Sequence, residues 1–364
     1  MIISNFRIKR KIIGNTITYS AFFSFEKKAE LNKEIWFCIN QNNSVKKNFP
    51  YESFLIAAYP MALELDEDVH IDAPIDNKLK TNLYKSNLYL GYSNVPKIYC
   101  KSCVANNDFR QGKSVLFVTL GLDSLYSLLK YNNKIDYLLF IEGYDVLLDS
   151  KHTLKNIRNK INIIAKHFNK KSIFVSTNLR WDLSEKFMPW IYFHGAALAA
   201  SAYTIGVAKN FSISSSDQYL DNRPWGTGSI IDMLWSNNDV FFNSIDKKMN
   251  RIEKIKDIVK NKEYWSIIDN NLRVCWQNFG KNIDINCGTC EKCIRTYMEL
   301  KILGYGGTLK TLNKVNLDYL SCIKIHKNKI IVWKAILDEI IKTKNREFYK
   351  YIDFINIFIK NAID

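Results

Sequence analysis

The stretch Val115-Leu116-Phe117-Val118-Thr119-Leu120-Gly121-Leu122-Asp123-Ser124-Leu125-Tyr126-Ser127 decides the fold. Its first four residues form an apolar run of strand length, and residues 124–131 carry the apolar spacing of a helix. The same strand-then-helix texture continues outward. Residues 137–141 and 172–175 are near-continuous apolar strands, with a helical pattern over 153–168 between them. Apolar strands alternating with amphipathic helices mean βαβ units, a parallel sheet covered on both faces and right-handed crossovers. A run of small residues, Gly195-Ala196-Ala197-Leu198-Ala199-Ala200-Ser201-Ala202, suits a helix packed closely on that sheet, and residues 211–214 add a strand. The fold class read from this is α/β, a doubly wound parallel sheet.

Before this core, residues 1–105 carry short β-branched and aromatic runs at 16–20, 35–39 and 69–72, with helical spacing over 51–65. They read as a small α+β N-terminal domain. Residues 106–250 are then the α/β core, and 251–310 a helical segment interrupted by cysteines that completes it. Residues 311–364 add C-terminal helices around 332–344 and 348–360. The final segment is amphipathic and basic, a pattern that fits either a membrane surface or docking on its own domain.

The length of 364 residues exceeds what one hydrophobic core comfortably serves. With 47% hydrophobic residues, 14 Gly and 6 Pro, disordered and fibrous classes are excluded. No apolar run reaches the ~18–20 residues of a membrane span, and the first residues lack a secretory signal, so the expected compartment is the cytoplasm with no membrane partner. The formal charge of +16 invites a nucleic-acid reading, but Lys far outnumbers Arg in a chain rich in Asn and Ile. We read it mainly as background lysine, with nucleic acid a disfavoured partner.

Eight cysteines in a chain without a signal peptide point to metal or redox chemistry rather than to a disulfide framework. Four of them, Cys275 and the run Cys287-Gly288-Thr289-Cys290-Glu291-Lys292-Cys293, have metal-ligand spacing. One tight turn supplies three thiolates, Gly288 lets the backbone fold back, and Cys275 closes a tetrahedron for Zn²⁺. An iron–sulfur cubane uses similar spacing. Four thiolates leave no open position, so such a metal is structural.

The segment from Thr119 to Ser124 is a second candidate. A loop between a parallel strand and a helix N-terminus presents free N–H groups and the positive end of the helix dipole to a phosphate. Thr119 and Ser124 can add hydroxyls, and Asp123 can hold Mg²⁺. The bland alternative is an ordinary pair of capping residues.

Together the two segments resemble the PP-loop ATP pyrophosphatases, and within them the 7-cyano-7-deazaguanine synthase (queuosine biosynthesis) branch. The loop is similar to the Ser-Gly-Gly-x-Asp-Ser motif, with Thr119, Leu120, Gly121, Asp123 and Ser124 at its positions, and the four cysteines are similar to the branch's zinc segment. Leu120 departs from the motif by replacing a glycine. The resemblance covers roughly residues 110–305 and implies a Rossmann-like HUP fold. It further implies ATP cleavage to AMP and pyrophosphate at Asp123 and Ser124, with Mg²⁺, a structural Zn²⁺ and a homodimer. The substrate implied is a carboxylate, on a small molecule or a protein, adenylated for attack by ammonia or an amine, in settings that include natural-product and antiviral-defence modification. Two alternatives stay open, a tRNA-modifying enzyme of the thiolation type and a scaffold without turnover.

Other residues fall at the same sheet edge. Glu142, with Gly143 and Asp145, follows the second core strand and can contact ribose or metal. Arg180 follows the third and can hold a phosphate or carboxylate, or make a salt bridge. His194 reads as a satisfied core histidine, residues 223–228 as a loop covering substrate or a simple turn, and Lys292 and Arg295 as cations beside the thiolates. Cys100 and Cys103 form an isolated CxxC.

Overall fold

The structure is a computed structural model that describes residues 1–45, 48–104, 112–216, 224–275 and 286–362. The chain divides into two compact units.

The first unit comprises residues 1–118, 131–149 and 161–248. It holds a ten-stranded sheet of β1 (Ile2–Lys11), β2 (Thr16–Ser24), β3 (Lys33–Asn40), β4 (Val69–Asp76), β5 (Ile98–Val104), β6 (Ser114–Phe117), β7 (Tyr137–Glu142), β8 (Lys171–Thr177), β9 (Asn210–Ser214) and β10 (Phe241–Ile245). Their order is β10-β9-β6-β7-β8-β3-β2-β1-β4-β5. The last five strands are all parallel: the chain steps from β6 through β7 to β8, then returns to the other side of β6 for β9 and β10. The reversal makes the carboxyl end of β6 a topological switch point, the place where open α/β sheets take ligands. Val118 extends this strand's end, donating its N–H to Leu139 O at 2.8 Å.

Residues 1–105 supply five strands to this same sheet instead of building a separate one. The join is β3 against β8, antiparallel, with Phe37 opposite Thr177 and Ile39 opposite Val175. The short runs at 16–20, 35–39 and 69–72 lie inside β2, β3 and β4. The expected reading missed β1 and β5; β1 is exposed over most of its length and cationic in its second half, so its apolar pattern is weak. A core of buried residues runs through this unit from Met1 and Phe54 to Phe211 and Trp235. The small-residue helix, Trp190–Tyr203, lets neighbours come close: the Ser53 hydroxyl donates to Ala200 O, and Tyr144 OH donates to Ala197 O at 2.8 Å.

The second unit, residues 119–130, 150–160 and 249–364, is helical. It includes the helix Leu122–Tyr131, the first turns of Lys151–His167, and the helices Arg251–Lys260, Trp265–Asn271, Glu291–Ile302, Ile330–Thr343 and Ile352–Lys360. Arg251–Lys260 starts at a capping box, in which Asn250 Oδ1 accepts from Glu253 N–H and Glu253 Oε2 accepts from Asn250 N–H. Ile294, Met298 and Ile302 pack with Trp333, Ile336, Phe348 and Ile355 in a local core. The terminal amphipathic segment therefore docks on its own unit, with Ile355 fully buried. Among the described residues no helix is long and apolar enough to cross a membrane.

Candidate metal centre and strand-to-helix loop

The four cysteines converge in the second unit. The sulfurs of Cys275, Cys287, Cys290 and Cys293 all lie within 4.8 Å of one another and could hold a metal ion such as zinc. The Cys287–Cys293 and Cys275–Cys290 sulfur pairs are each 3.9 Å apart. A tetrahedral ion with metal–sulfur bonds of ~2.3 Å has edges of about 3.8 Å, which matches.

Local backbone features build this cage. Gly288 has φ +78°, and a Cβ there would stand 2.3 Å from Lys314 O, so both conformation and space demand glycine. The turn brings Cys290 N–H to Cys287 Sγ at 3.3 Å. Cys290 then caps the helix Glu291–Ile302 and Cys293 lies in its first turn, where the helix dipole favours thiolate. Asn286 ties in the remote ligand: its buried amide accepts from Val274 N–H and Cys275 N–H at 2.8 and 3.1 Å and donates to Leu272 O and Thr311 O at 2.9 and 2.8 Å. Sequence reasoning missed Asn286, although it sits next to Cys287. Contact with Cys275, together with burial, pushes the Cys290 thiol up to about 12, and Cys275 and Cys290 drive the Cys293 thiol up as well. Thiols so crowded do not ionise together unless a cation sits among them.

The loop after β6 lies in the same unit from Thr119 onward. Leu120 adopts φ +61°, the left-handed region, and is fully buried. Its carbonyl accepts from Arg273 N–H at 2.8 Å. The Ser124 hydroxyl donates to Gly121 O at 3.1 Å, and Thr119 is exposed. The first i→i−4 bond of the helix is Leu125 N–H to Gly121 O, at 3.0 Å. The N–H groups of Leu122, Asp123 and Ser124 precede it and have no intrahelical acceptor.

Asp123 has neighbours that sequence reasoning did not identify. Oδ1 faces Lys254 Nζ at 3.1 Å and Oδ2 faces Arg251 Nη1 at 3.2 Å. Arg251 also pairs with Glu299 at 2.8 Å and donates to Thr296 Oγ1 at 2.8 Å. Glu299 meets Arg295 at 3.3 Å, Arg295 meets Glu291 at 2.7 Å, and Trp333 Nε1 donates to Glu291 at 3.1 Å. The chain Lys254–Asp123–Arg251–Glu299–Arg295–Glu291 alternates in sign and sums to zero. Arg295, expected to face the thiolates, is committed to these two carboxylates. The i, i+4 ladder Glu291/Arg295/Glu299 and the i, i+3 pair Arg251/Lys254 were the available sequence signals.

The remaining candidates belong to the first unit. Glu142 is buried and accepts from the Ser176 hydroxyl at 2.7 Å. Arg180 is buried, pairs with Glu185 at 2.7 Å and Asp145 at 3.5 Å, and donates to Tyr144 O at 3.0 Å. Its guanidinium lies 4.3 Å from the ring centroids of both Trp181 and Trp190. That is a salt bridge with aromatic packing, the blander of its two expected roles. Burial lowers the pKa of His194, and its ring nitrogens contact Trp190 O and Thr227 Oγ1 at 3.1 and 3.0 Å, as a satisfied core histidine should. Of the expected covering loop, Arg223 lies outside the described residues. Gly226 closes onto the Trp190–Tyr203 helix, where a Cβ would come 2.6 Å from His194 Nδ1.

Comparison of the chain with protein-family models, with curated proteins and with solved structures returned no match.

Proposed function

We propose that the chain is an ATP-dependent adenylate-forming enzyme of the PP-loop type, synthase-like, with a structural zinc centre. It would activate a carboxylate, on a small molecule or a protein, for attack by ammonia or an amine. The observation that carries this reading is the backbone at Leu120. A residue that departs from the glycine of the resembled motif holds glycine's left-handed conformation at φ +61°. The left-handed backbone at Leu120 supports a tight turn of the kind a glycine would make, while its leucine side chain is turned into the protein.

The surroundings support the same reading. The loop leaves the carboxyl end of β6 at the switch point of the parallel strands. The N–H groups of Leu122, Asp123 and Ser124 and the exposed Thr119 hydroxyl are the donors for phosphate oxygens. ATP, when bound, supplies an α-phosphate that transfers as AMP to a carboxylate oxygen while pyrophosphate leaves. The protein's part is to position the phosphates and stabilise their charge. Lys254 and Arg251 hold two positive charges beside the helix start. Asp123 would take a phosphate-borne Mg²⁺ only by giving up one of these cations.

For the metal, a cage with every sulfur within 4.8 Å suits one ion rather than an iron–sulfur cubane, and four thiolates close the coordination sphere. Thiolation would need a sulfur carrier close to the loop. Cys100 and Cys103, with sulfurs 3.7 Å apart, lie on β5, separated from β6 by six intervening strands. At ~4.8 Å per strand step that is about 34 Å. Within the sheet, that spacing counts against Cys100 and Cys103 as the carrier and leaves Cys322 as the cysteine the thiolation reading would use.

The test is labelled ATP with purified protein, following AMP and pyrophosphate as candidate carboxylates and amines are varied. Carboxylate-dependent pyrophosphate release, lost in Asp123→Ala, is expected. No nucleotide binding at saturating ATP in protein loaded with zinc would sink the enzyme reading and leave a scaffold.

A further inference from the structure

The turn end of the β1–β2 hairpin is open on its β1 side, whereas β3 accompanies β2 up to Thr16 opposite Asn40. β1 pairs with β2 from Ile2 opposite Ser24 to Lys11 opposite Thr16, but β4 meets β1 only at Ile2 and Ile3. From Arg7 to Asn15 all nine residues are exposed, although Ile17 and Tyr19, opposite Arg10 and Ile8 on β2, are buried, so the exposed part is the outer strand and the turn. At its tip Ile12 and Ile13 are each 94% exposed, and Ile8 below them is 48% exposed. Turns favour Gly, Asn and Asp, and two adjacent β-branched apolar residues there are not a solvent-driven choice.

The tip is held in place. Asn15 N–H donates to Ile12 O at 3.1 Å across the turn, with Gly14 at φ +88°. Gln41, just past β3, donates its backbone N–H to Asn15 O at 2.9 Å, and its side chain reaches Lys11 O and Thr16 O at 3.4 and 3.3 Å. Below the isoleucines, Arg7, Lys9, Arg10 and Lys11 ring the stem, and residues 1–25 contain no Asp or Glu. Among the described residues these four cations are in no ion pair.

We infer that this hairpin is a docking tip for an anionic phospholipid surface, with the two isoleucines entering the acyl boundary and the cations meeting lipid headgroups. Charge complementarity selects this occupant. A second copy would bring the same four cations against these, in a chain of net charge +16. A nucleic-acid backbone would satisfy the cations but give the isoleucines nothing to bury against. A bilayer of anionic lipid uses both parts, since apolar burial and juxtamembrane cations each add to surface binding.

The experiment is cosedimentation of the full chain with phosphatidylcholine vesicles, with and without phosphatidylserine, at low and high salt. Binding should require phosphatidylserine and fall steeply with salt. The double variant Ile12→Ser/Ile13→Ser should weaken it by about tenfold or more, because two side chains lose their apolar burial. Arg10→Glu/Lys11→Glu should abolish it. Unchanged melting temperatures of both variants would tie the losses to the tip. Equal vesicle binding by the isoleucine variant and the parent would overturn the inference, as would binding that ignores phosphatidylserine. Single-stranded RNA binding that survives the isoleucine change, without vesicle binding, would reassign the tip to nucleic acid. Dimerisation lost with the isoleucines, again without vesicle binding, would reassign it to a second copy.

Discussion

The cysteine cage and the Asp123 cluster lie in the same unit, and the helix Glu291–Ile302 contributes to both, yet they are opposite kinds of site. The cage gathers four like groups that cannot all ionise beside one another, and it could hold a cation among them. The Asp123 cluster gathers three carboxylates and three cations in alternation, so each of these charges already faces an opposite one. The first could take an ion among its sulfurs, whereas a ligand at the second must compete with partners already in place. The cage should therefore respond to metal removal as a structural element, and the cluster to mutation as a buried ion-pair network.

The largest effect should come from the cage. Structural metal binding is coupled to folding, with apparent free energies of roughly 10 kcal/mol or more in small zinc domains. Cys293→Ser, or a strong chelator, should unfold the second unit or lower its melting transition by well over 10 °C. The prediction is checked by scanning calorimetry beside a metal assay that finds one zinc per chain. Protein without zinc that melts like the parent would remove the metal centre and leave the contrast with the Asp123 cluster unsupported.

A middle-sized effect is expected at Asp123. Lys254 is fully buried and Arg251 partly so, and Asp123→Ala takes one carboxylate away from both. Breaking a buried pair from one side costs about 3–5 kcal/mol, while replacing both partners with apolar groups is far milder. Asp123→Ala should therefore lower stability by about 3 kcal/mol in urea titrations, and Asp123→Leu combined with Lys254→Met should recover much of that. A double variant as unstable as the sum of the singles would mean that these residues do not act as a unit.

The contrast also explains what could be read in advance. The cage was legible because three of its ligands lie within seven residues and thiolates at that spacing have few other uses. Most of the parallel half of the sheet was legible because strands 115–118, 137–141 and 172–175 are near-continuous apolar runs, whereas β10 was not anticipated. The pairing of Asp123 was not, because Arg251 and Lys254 stand more than a hundred residues away and sequence offers no measure of that contact. The joining of residues 1–105 to the core sheet through β3 and β8 was hidden for the same reason. Nothing in Trp36-Phe37-Cys38-Ile39 names its partner strand.

The smallest effect is the most diagnostic for the loop. At an ordinary helical or extended position Gly is less stable than Ala by roughly 0.5–1 kcal/mol, because Gly loses more conformational freedom on folding. At Leu120, with φ +61°, the order should reverse, since a Cβ in the left-handed region costs about 1 kcal/mol or more and Gly carries none. Both Leu120→Gly and Leu120→Ala lose the fully buried side chain, a shared cost of about 2–5 kcal/mol. That shared loss cancels between them, so the difference reports the backbone alone. Urea denaturation with matched slopes should find Leu120→Gly the more stable by about 0.5–1 kcal/mol. Were Leu120→Ala the more stable, residue 120 would not occupy the left-handed region, and the strongest support for a phosphate-binding loop after β6 would be gone. If the order is as expected and Leu120→Gly also binds nucleotide at least as tightly as the parent, the leucine is a packing solution laid over a left-handed turn rather than a block to the ligand.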